Sequence, residues 1–392
     1  MRILIISNSL PFPPHDGSRV ILLNLLKNFT PTTEIDLVAL IDDRHSTSDV
    51  EMVAQFCRTV TTVPAKSRNS VLNKVICNLS RNPYNVVWRY SRKMALCLEN
   101  TLRGKSYDVL IFYGVSSSRY GVKIHSTPKI AYEIDAGSLY FRRNLSRETS
   151  LYKKLFYLSE YLKIGRYERR VYPNFDRCIV VSQADKAALL KSCPRAKIEV
   201  IQNGIDTDYF SPNHREEHPL LLFSGNMDYP PNIHAALWFY NNVFEKIAEE
   251  FPGIRFCLAG KNPDKKLAFL RKDLRIIVTG FVKDIRPWFD KASLYVCPII
   301  SGSGIKNKIL EAMAMEKPIV ATSLSLDGIP CSVPFVLRAD NSDDFAELSI
   351  TALKNRAFRT KLGKLGRKFV LQGHKWRFSA ERLERICSEI CH

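Results

Sequence analysis

Gly302, Gly304, Lys306, Lys308 and Glu311 lie within one ten-residue stretch, Gly302-Ser303-Gly304-Ile305-Lys306-Asn307-Lys308-Ile309-Leu310-Glu311. The glycines open a helix whose apolar positions, Ile309, Leu310 and Met313, fall at helical spacing. Lys317-Pro318 closes it before the strand-like run Ile319-Val320-Ala321-Thr322. A glycine loop entering a helix leaves backbone N–H groups free at the positive end of the helix dipole, a ready site for an anion. Lys306 and Lys308 sit one turn inside it, and Glu311 about one turn further on can accept from a sugar hydroxyl. Phosphate at one end and sugar hydroxyls at the other describe a nucleotide-sugar pocket.

Such a pocket needs rigid elements to hold it, and the chain supplies them as an alternation of strands and helices. Ile3-Leu4-Ile5-Ile6 is a continuous apolar run, the pattern of a strand buried on both faces. It leads through Pro11 to Arg19, a loop containing Asp16-Gly17, into a helix over 20–29. This is a strand, glycine-bearing loop and helix without the G-x-G-x-x-G dinucleotide fingerprint. Gly17 reads equally as a close-approach glycine or a turn glycine. Further strands are predicted at 35–41, 60–63, 108–114, 129–135, 178–182 and 198–201. Residues 207–219, with Ser211-Pro212-Asn213 and Glu216-Glu217-His218-Pro219, have linker chemistry. The alternation then restarts with strands at 220–223, 254–259, 276–279 and 293–297, a long helix over 232–250, helix over 346–372 and a final helix over 377–391. The expected fold is α/β, two doubly wound Rossmann-like domains facing across a cleft. The expected boundaries are 1–206, a linker at 207–219, 220–373, and a helix at 374–392 packing back on the first domain.

The chain has 392 residues, net charge +19 and ten cysteines. That charge implies a negative partner surface. Nine basic residues lie between Lys66 and Lys105 against the single acid Glu99, and nine more lie between Arg142 and Arg170 against Glu148, Glu160 and Glu168. Tyr140, Phe141, Tyr152, Phe156, Tyr157, Tyr161 and Tyr167 are interleaved with the second set. Basic helices carrying aromatics suit an anionic membrane surface, and solvated helix faces with buried aromatics suit the same composition. No nucleic-acid module is recognisable, so nucleic acid is not the expected partner. The cysteines form no C-x-x-C pair and read as thiols in a reducing compartment. The apolar run at the start is too short for a signal peptide and no run approaches a membrane span, so a cytoplasmic location is expected, with any membrane contact peripheral.

Four stretches taken together resemble the glycosyltransferases of the GT-B fold, and within them the retaining family 4 enzymes of bacterial exopolysaccharide clusters. They are Val200-Ile201-Gln202-Asn203-Gly204-Ile205-Asp206, the segment Phe223 to Asn232, the segment Val278 to Pro287, and Gly304 to Thr322. The resemblance spans roughly residues 195 to 325 and continues more loosely from Met1. It implies sugar transfer from a nucleoside diphosphate sugar to a glycan or lipid-linked acceptor, with retention and without a metal or other cofactor. It places Glu311 on the ribose hydroxyls, as the second of the family's two acids spaced eight apart. Gly302, Ser303, Gly304 and Ile305 lie along the donor sugar or diphosphate, and Phe281 and Val282 beside the base. Gly225 and Asn226 fall in a segment where many members carry an Arg and a Lys; this chain has neither there, which leaves Lys306 or Lys308 to meet the phosphate. Ser303 stands where the first acid is usual. In the first domain Asp16-Gly17 matches a loop over the donor. Asp135 falls where other members often place a histidine, and it reads equally as a cap for the segment that follows. Asp135, Lys308 and Ser303 are thus the residues expected at the reacting end. A nucleotide-sugar epimerase, and a non-catalytic anion-binding protein, are the alternative functions.

Overall fold

The computed structural model describes the chain except residues 44, 66–75, 214–216, 262, 264, 303–306, 330–332 and 392. It forms two compact units, Met1–Gln202 with Trp376–His392, and Asn203–Lys375. The first holds a seven-stranded sheet: β1 (Arg2–Ser7), β2 (Glu34–Ile41), β3 (Thr59–Pro64), β4 (Val109–Tyr113), β5 (Lys129–Ile134), β6 (Arg177–Val180) and β7 (Ile198–Val200), in the order β3-β2-β1-β4-β5-β6-β7. The second holds six: β8 (His218–Ser224), β9 (Arg255–Ala259), β10 (Ile276–Gly280), β11 (Ala292–Cys297), β12 (Ile319–Ala321) and β13 (Val336–Arg338), in the order β10-β9-β8-β11-β12-β13. Every pairing is parallel. Helices cover both faces of a parallel sheet, which is why Ile3–Ile6 and Leu221–Phe223 are almost wholly buried. Each unit is therefore a doubly wound Rossmann-like domain. In each, the strand order reverses once, between β1 and β4 and between β8 and β11, the point at whose carboxyl ends doubly wound sheets bind ligands.

Two predicted helices differ from those observed. The run expected over 232–250 is helical over Pro230–Phe239 and Glu245–Glu250, with a π-helical turn at Tyr240–Phe244 between them. The helix expected over 346–372 is two, Ser342–Lys354 and Arg356–Gly373. Asn355 divides them because its side chain accepts from Phe358 N and caps the second helix. Apolar periodicity continues through both places, so it could not reveal either break.

The last helix, Trp376–Cys391, belongs to the first unit. It packs against the Gly17–Asn28 helix, and Ser379 Oγ donates to Gln202 O at 2.7 Å. Its anchor is Glu384, whose Oε1 accepts from Thr30 N at 3.1 Å, Thr30 Oγ1 at 2.7 Å and Thr33 Oγ1 at 2.5 Å. Glu384→Ala removes three hydrogen bonds to a carboxylate, and the expected loss is about 1.5–3 kcal/mol, measured by denaturant unfolding against wild type. An unchanged midpoint would show that the helix is held by its apolar face alone.

Candidate functional site

In the second unit the site is built where the ends of β8 and β9 run side by side. Gly260 (φ +154°) follows β9, and a Cβ there would lie 1.7 Å from the carbonyl oxygen of Gly225. Gly225 (φ +147°) follows β8, and its own Cβ would lie 2.7 Å from Lys308 Nζ and 2.9 Å from Asn232 Nδ2. Backbone conformation and space both require glycine at these two positions. The room so kept is taken by the Lys308 ammonium. Lys308 is the second residue of the Asn307–Ala314 helix. Its Nζ donates to Asn232 Oδ1 at 2.7 Å and lies 4.5 Å from the centre of the Phe223 ring. Asn232 is held in turn, its Nδ2 donating to Asn226 O at 2.8 Å. The segment Gly225 to Asn232 has no basic residue of its own, and the fold delivers a cation to it from the opposite side of the strand reversal.

Glu311 lies on the same helix as Lys308, one turn on. It is half-buried, and among the described residues its carboxylate accepts no hydrogen bond. Burial pushes its carboxyl up to about 7, against the opposing pull of the Lys308 charge. Behind it, burial raises the phenol of Tyr295 well above its ordinary value, with Glu311 adding to the shift, and the Tyr295 hydroxyl pairs with Ser224 Oγ at 2.9 Å. The start of the helix is tied down by Asn203, whose Nδ2 donates to Asn307 Oδ1 at 2.8 Å. A carboxylate with open acceptor positions, one turn from an ammonium, is suited to a ligand bearing hydroxyls and an anionic group.

The other expected residues of this unit fall as follows. Gly302 (φ +101°) is buried, with Pro231 Cγ 3.2 Å from where its Cβ would stand. Phe281 is 76% exposed, so ordinary loop packing does not hold its ring, and Val282 is half-buried. Ser303, Gly304, Ile305 and Lys306 lie outside the described residues.

In the first unit a cavity of about 900 Å³ opens beside the β1 end, lined by Asn8, His15, Asp16, Arg19, His45 and Trp88 among others. Asn8 Oδ1 and His45 Nε2 are buried there with no hydrogen-bond partner among the described residues. The His45 side chain is 3% exposed, and its Nδ1 lies 3.0 Å from Asp42 Oδ1. One wall is the Tyr84–Trp88 helix, whose terminal rings stack 5.8 Å apart. Gly17 is the first residue of the Gly17–Asn28 helix rather than part of a turn, and Asp16 is its N-cap, accepting from Arg19 N at 3.0 Å. Outside its chain neighbours and its own helix, none of the described residues lies within 4 Å of where a Gly17 Cβ would stand. Tyr113, at the β4 end, donates to Ser18 O at 2.7 Å. Its phenol is raised well above the ordinary value by burial, then by Tyr132, with Asp16 and Asp135 contributing. Asp135 and Asp16 are thus gathered around one tyrosine. Asp135 stands one residue before Ala136, the N-cap of the Gly137–Arg147 helix.

Asn232, Asn203, Asn8, His45 and Trp88 carried no signal in the sequence that marked them for these positions. Asn203 and Asn232 stood inside motifs, Val200 to Asp206 and Phe223 to Asn232, without a role.

Residues 218–355 match the family described as Glycosyl transferases group 1, and residues 56–209 match Glycosyltransferase Family 4. Both halves therefore carry glycosyltransferase domains, on a fold of the GT-B class. The chain is 22% identical over 340 residues to an uncharacterised 44.6 kDa protein in the cps region of Klebsiella pneumoniae, covering 83% of this chain and 84% of that one. Among solved structures it resembles the sucrose-phosphate synthase of Thermosynechococcus elongatus, with TM-score 0.72, 15% identity, and 99% of this chain and 98% of that chain covered. It also resembles Anabaena HepE in complex with UDP-glucose, with TM-score 0.65, 14% identity, and 99% and 100% covered.

The Glu311 carboxyl gives a stability test. Its folded value, about 7, stands above its ordinary 4.5, so the folded state holds the proton more tightly than the unfolded state. The associated stability is complete below 4.5 and is lost as pH rises through 7. Glu311→Gln keeps a neutral side chain throughout. Its melting temperature is expected to gain on wild type as pH rises across that window and to hold a constant lead above it. A gap that does not change with pH would place Glu311 in a solvated setting.

Proposed function

We propose that this protein transfers a glycosyl group from a nucleoside diphosphate sugar to a hydroxyl of a glycan or lipid-linked acceptor, such as a growing surface polysaccharide, with retention at the anomeric carbon. The observation that carries the reading is the Lys308–Glu311 pair at the β8–β11 strand reversal, set over glycines that leave room for little else. Ribose hydroxyls donate to Glu311. The diphosphate lies against the Lys308 ammonium and the start of its helix, which take up the charge that develops as the sugar leaves. That role needs no metal and no other cofactor. Asn226 and Gly225 border the phosphate, and Phe281 and Val282 flank the base. The UDP-glucose complex of HepE makes a UDP-sugar the first donor to try, and the cps-region relative favours a polysaccharide acceptor. Retention rests on the motif resemblance.

The acceptor is assigned to the cavity of the first unit. A sugar ring stacks on Trp88, and its hydroxyls meet Asn8 Oδ1 and His45 Nε2, two buried atoms that otherwise lack a partner. Asp135 and Asp16, near Tyr113, stand at the reacting end.

Calorimetry with a panel of nucleotide sugars tests the donor half. At least one is expected to bind, and Glu311→Ala is expected to weaken it about tenfold or more, the worth of a hydrogen bond to a charged group. If no nucleotide sugar binds, the reading fails. Turnover with a glycan or lipid acceptor tests the rest. Trp88→Ala is expected to raise the acceptor KM several-fold and leave nucleotide affinity unchanged; a donor sugar inverted at a ring carbon without acceptor would mark an epimerase instead.

A further inference from the structure

The Leu151–Val171 helix shows solvent a face made of apolar and cationic side chains. Leu151, Leu155, Leu158 and Leu162 recur at i, i+4, i+7 and i+11, which places them on one stripe, and they are 73%, 59%, 42% and 46% exposed. Lys153 and Lys154 flank the stripe at one end and Arg166, Arg169 and Arg170 lie exposed toward the other. The helix contains two acids, and both are turned inward. Glu160 accepts from Tyr84 N at 2.7 Å and pairs with Lys163 at 3.0 Å. Glu168 accepts from Ser138 N at 2.9 Å and from Ser192 Oγ at 2.7 Å. The exposed face of the helix therefore carries no carboxylate. The helical residues 76–79 add Ile76 and Leu79, 51% and 81% exposed. They are fastened to the same helix, since Lys163 Nζ donates to Asn78 O at 2.8 Å and Arg170 to Asn82 Oδ1 at 2.6 Å.

Single exposed leucines need no explanation, but a continuous stripe of them does. The spacing would also suit a second helix. Lys153 pairs with Glu148, just before the helix, at 3.9 Å, but two copies of this chain would otherwise set lysine and arginine against lysine and arginine with no acid of the helix itself to relieve them. An anionic surface meets both halves of the pattern. We propose that this face lies in the plane of an anionic lipid bilayer, its leucines entering the boundary between headgroups and acyl chains and its lysines and arginines meeting the lipid phosphates. No described helix is long and apolar enough to cross a membrane, so the contact is peripheral. The inference goes beyond the transfer reading and does not depend on it.

Vesicle flotation of the purified full chain is the test. It is expected to float with vesicles of phosphatidylglycerol and phosphatidylcholine, to float less with phosphatidylcholine alone, and to be released by about 0.5 M salt, where charge attraction is screened. The pair Leu155→Glu with Leu158→Glu, and separately Lys153→Glu with Lys154→Glu, are expected to lower bound protein about tenfold, because binding combines apolar insertion with charge. These positions are exposed, so melting temperature and nucleotide-sugar affinity should stay at wild-type values, which separates this surface from the donor site. Wild type failing to float on anionic vesicles, or both variants floating like wild type, would overturn the proposal. A dimer in sedimentation that the leucine pair dissociates, with flotation unaffected, would assign the face to a second copy.

Discussion

The close approach of the β8 and β9 ends is the constraint on which the second domain's site depends. With Gly260 facing the carbonyl of Gly225, neither position admits a side chain. The space above Gly225 is then available to a long side chain arriving from elsewhere, and Lys308 fills it. A bulkier residue at either glycine would displace both the strand ends and the ammonium. The position of the cation is thus a consequence of backbone packing. Asn232 and Phe223 refine it, one through a hydrogen bond and the other through the face of its ring.

Charge and burial are balanced against each other along the Asn307–Ala314 helix. Lys308 keeps protein partners in the free state. Glu311, a turn away, accepts no hydrogen bond from the described residues and is raised by burial toward neutrality. A carboxyl in that condition is poised to gain from any ligand that brings hydroxyl donors and to hold a charge once they arrive. The same logic appears in the first domain, where Asn8 Oδ1 and His45 Nε2 are buried without partners beside a wall of stacked rings. Buried polar atoms left unsatisfied are costly, so a ligand that reaches these two would gain from satisfying them.

The long helix of the first domain follows a different rule. Its two glutamates fasten it to the fold, Glu160 to the Tyr84–Trp88 helix that also walls the cavity, and Glu168 to Ser138 and Ser192. Inward acids leave an outward surplus of cations. The net charge of +19 is therefore expressed on this helix as a directional surface. Lys163, counted among the basic residues of the region, is not part of that surface, because it is buried against Glu160 and Asn78.

Much of the fold was legible in the sequence because its signals are local. Continuous apolar runs such as Ile3–Ile6 and the glycines that follow Phe223, Ala259 and Thr279 mark parallel strands and their ends, and the restart after residue 217 marks a second domain. Glu311 stood out together with both Lys306 and Lys308, since all three follow one glycine loop within about two helical turns. Local signals failed where the decision was made elsewhere in the chain. The π-helical turn at Tyr240 and the break at Asn355 do not disturb apolar periodicity. The Lys308–Asn232 and Asn203–Asn307 bonds join residues 76 and 104 positions apart. The cavity of the first domain draws on loops after β1 and β2 and on a five-residue helix. Residue types and periodicity determined that strands, helices and a phosphate-and-hydroxyl motif would form. That Lys308 reaches the Gly225 loop, that His45 lines the cavity beside β1 and that the Leu151–Val171 helix turns its acids inward were decided by tertiary packing, because each depends on distant segments converging on the same few ångströms.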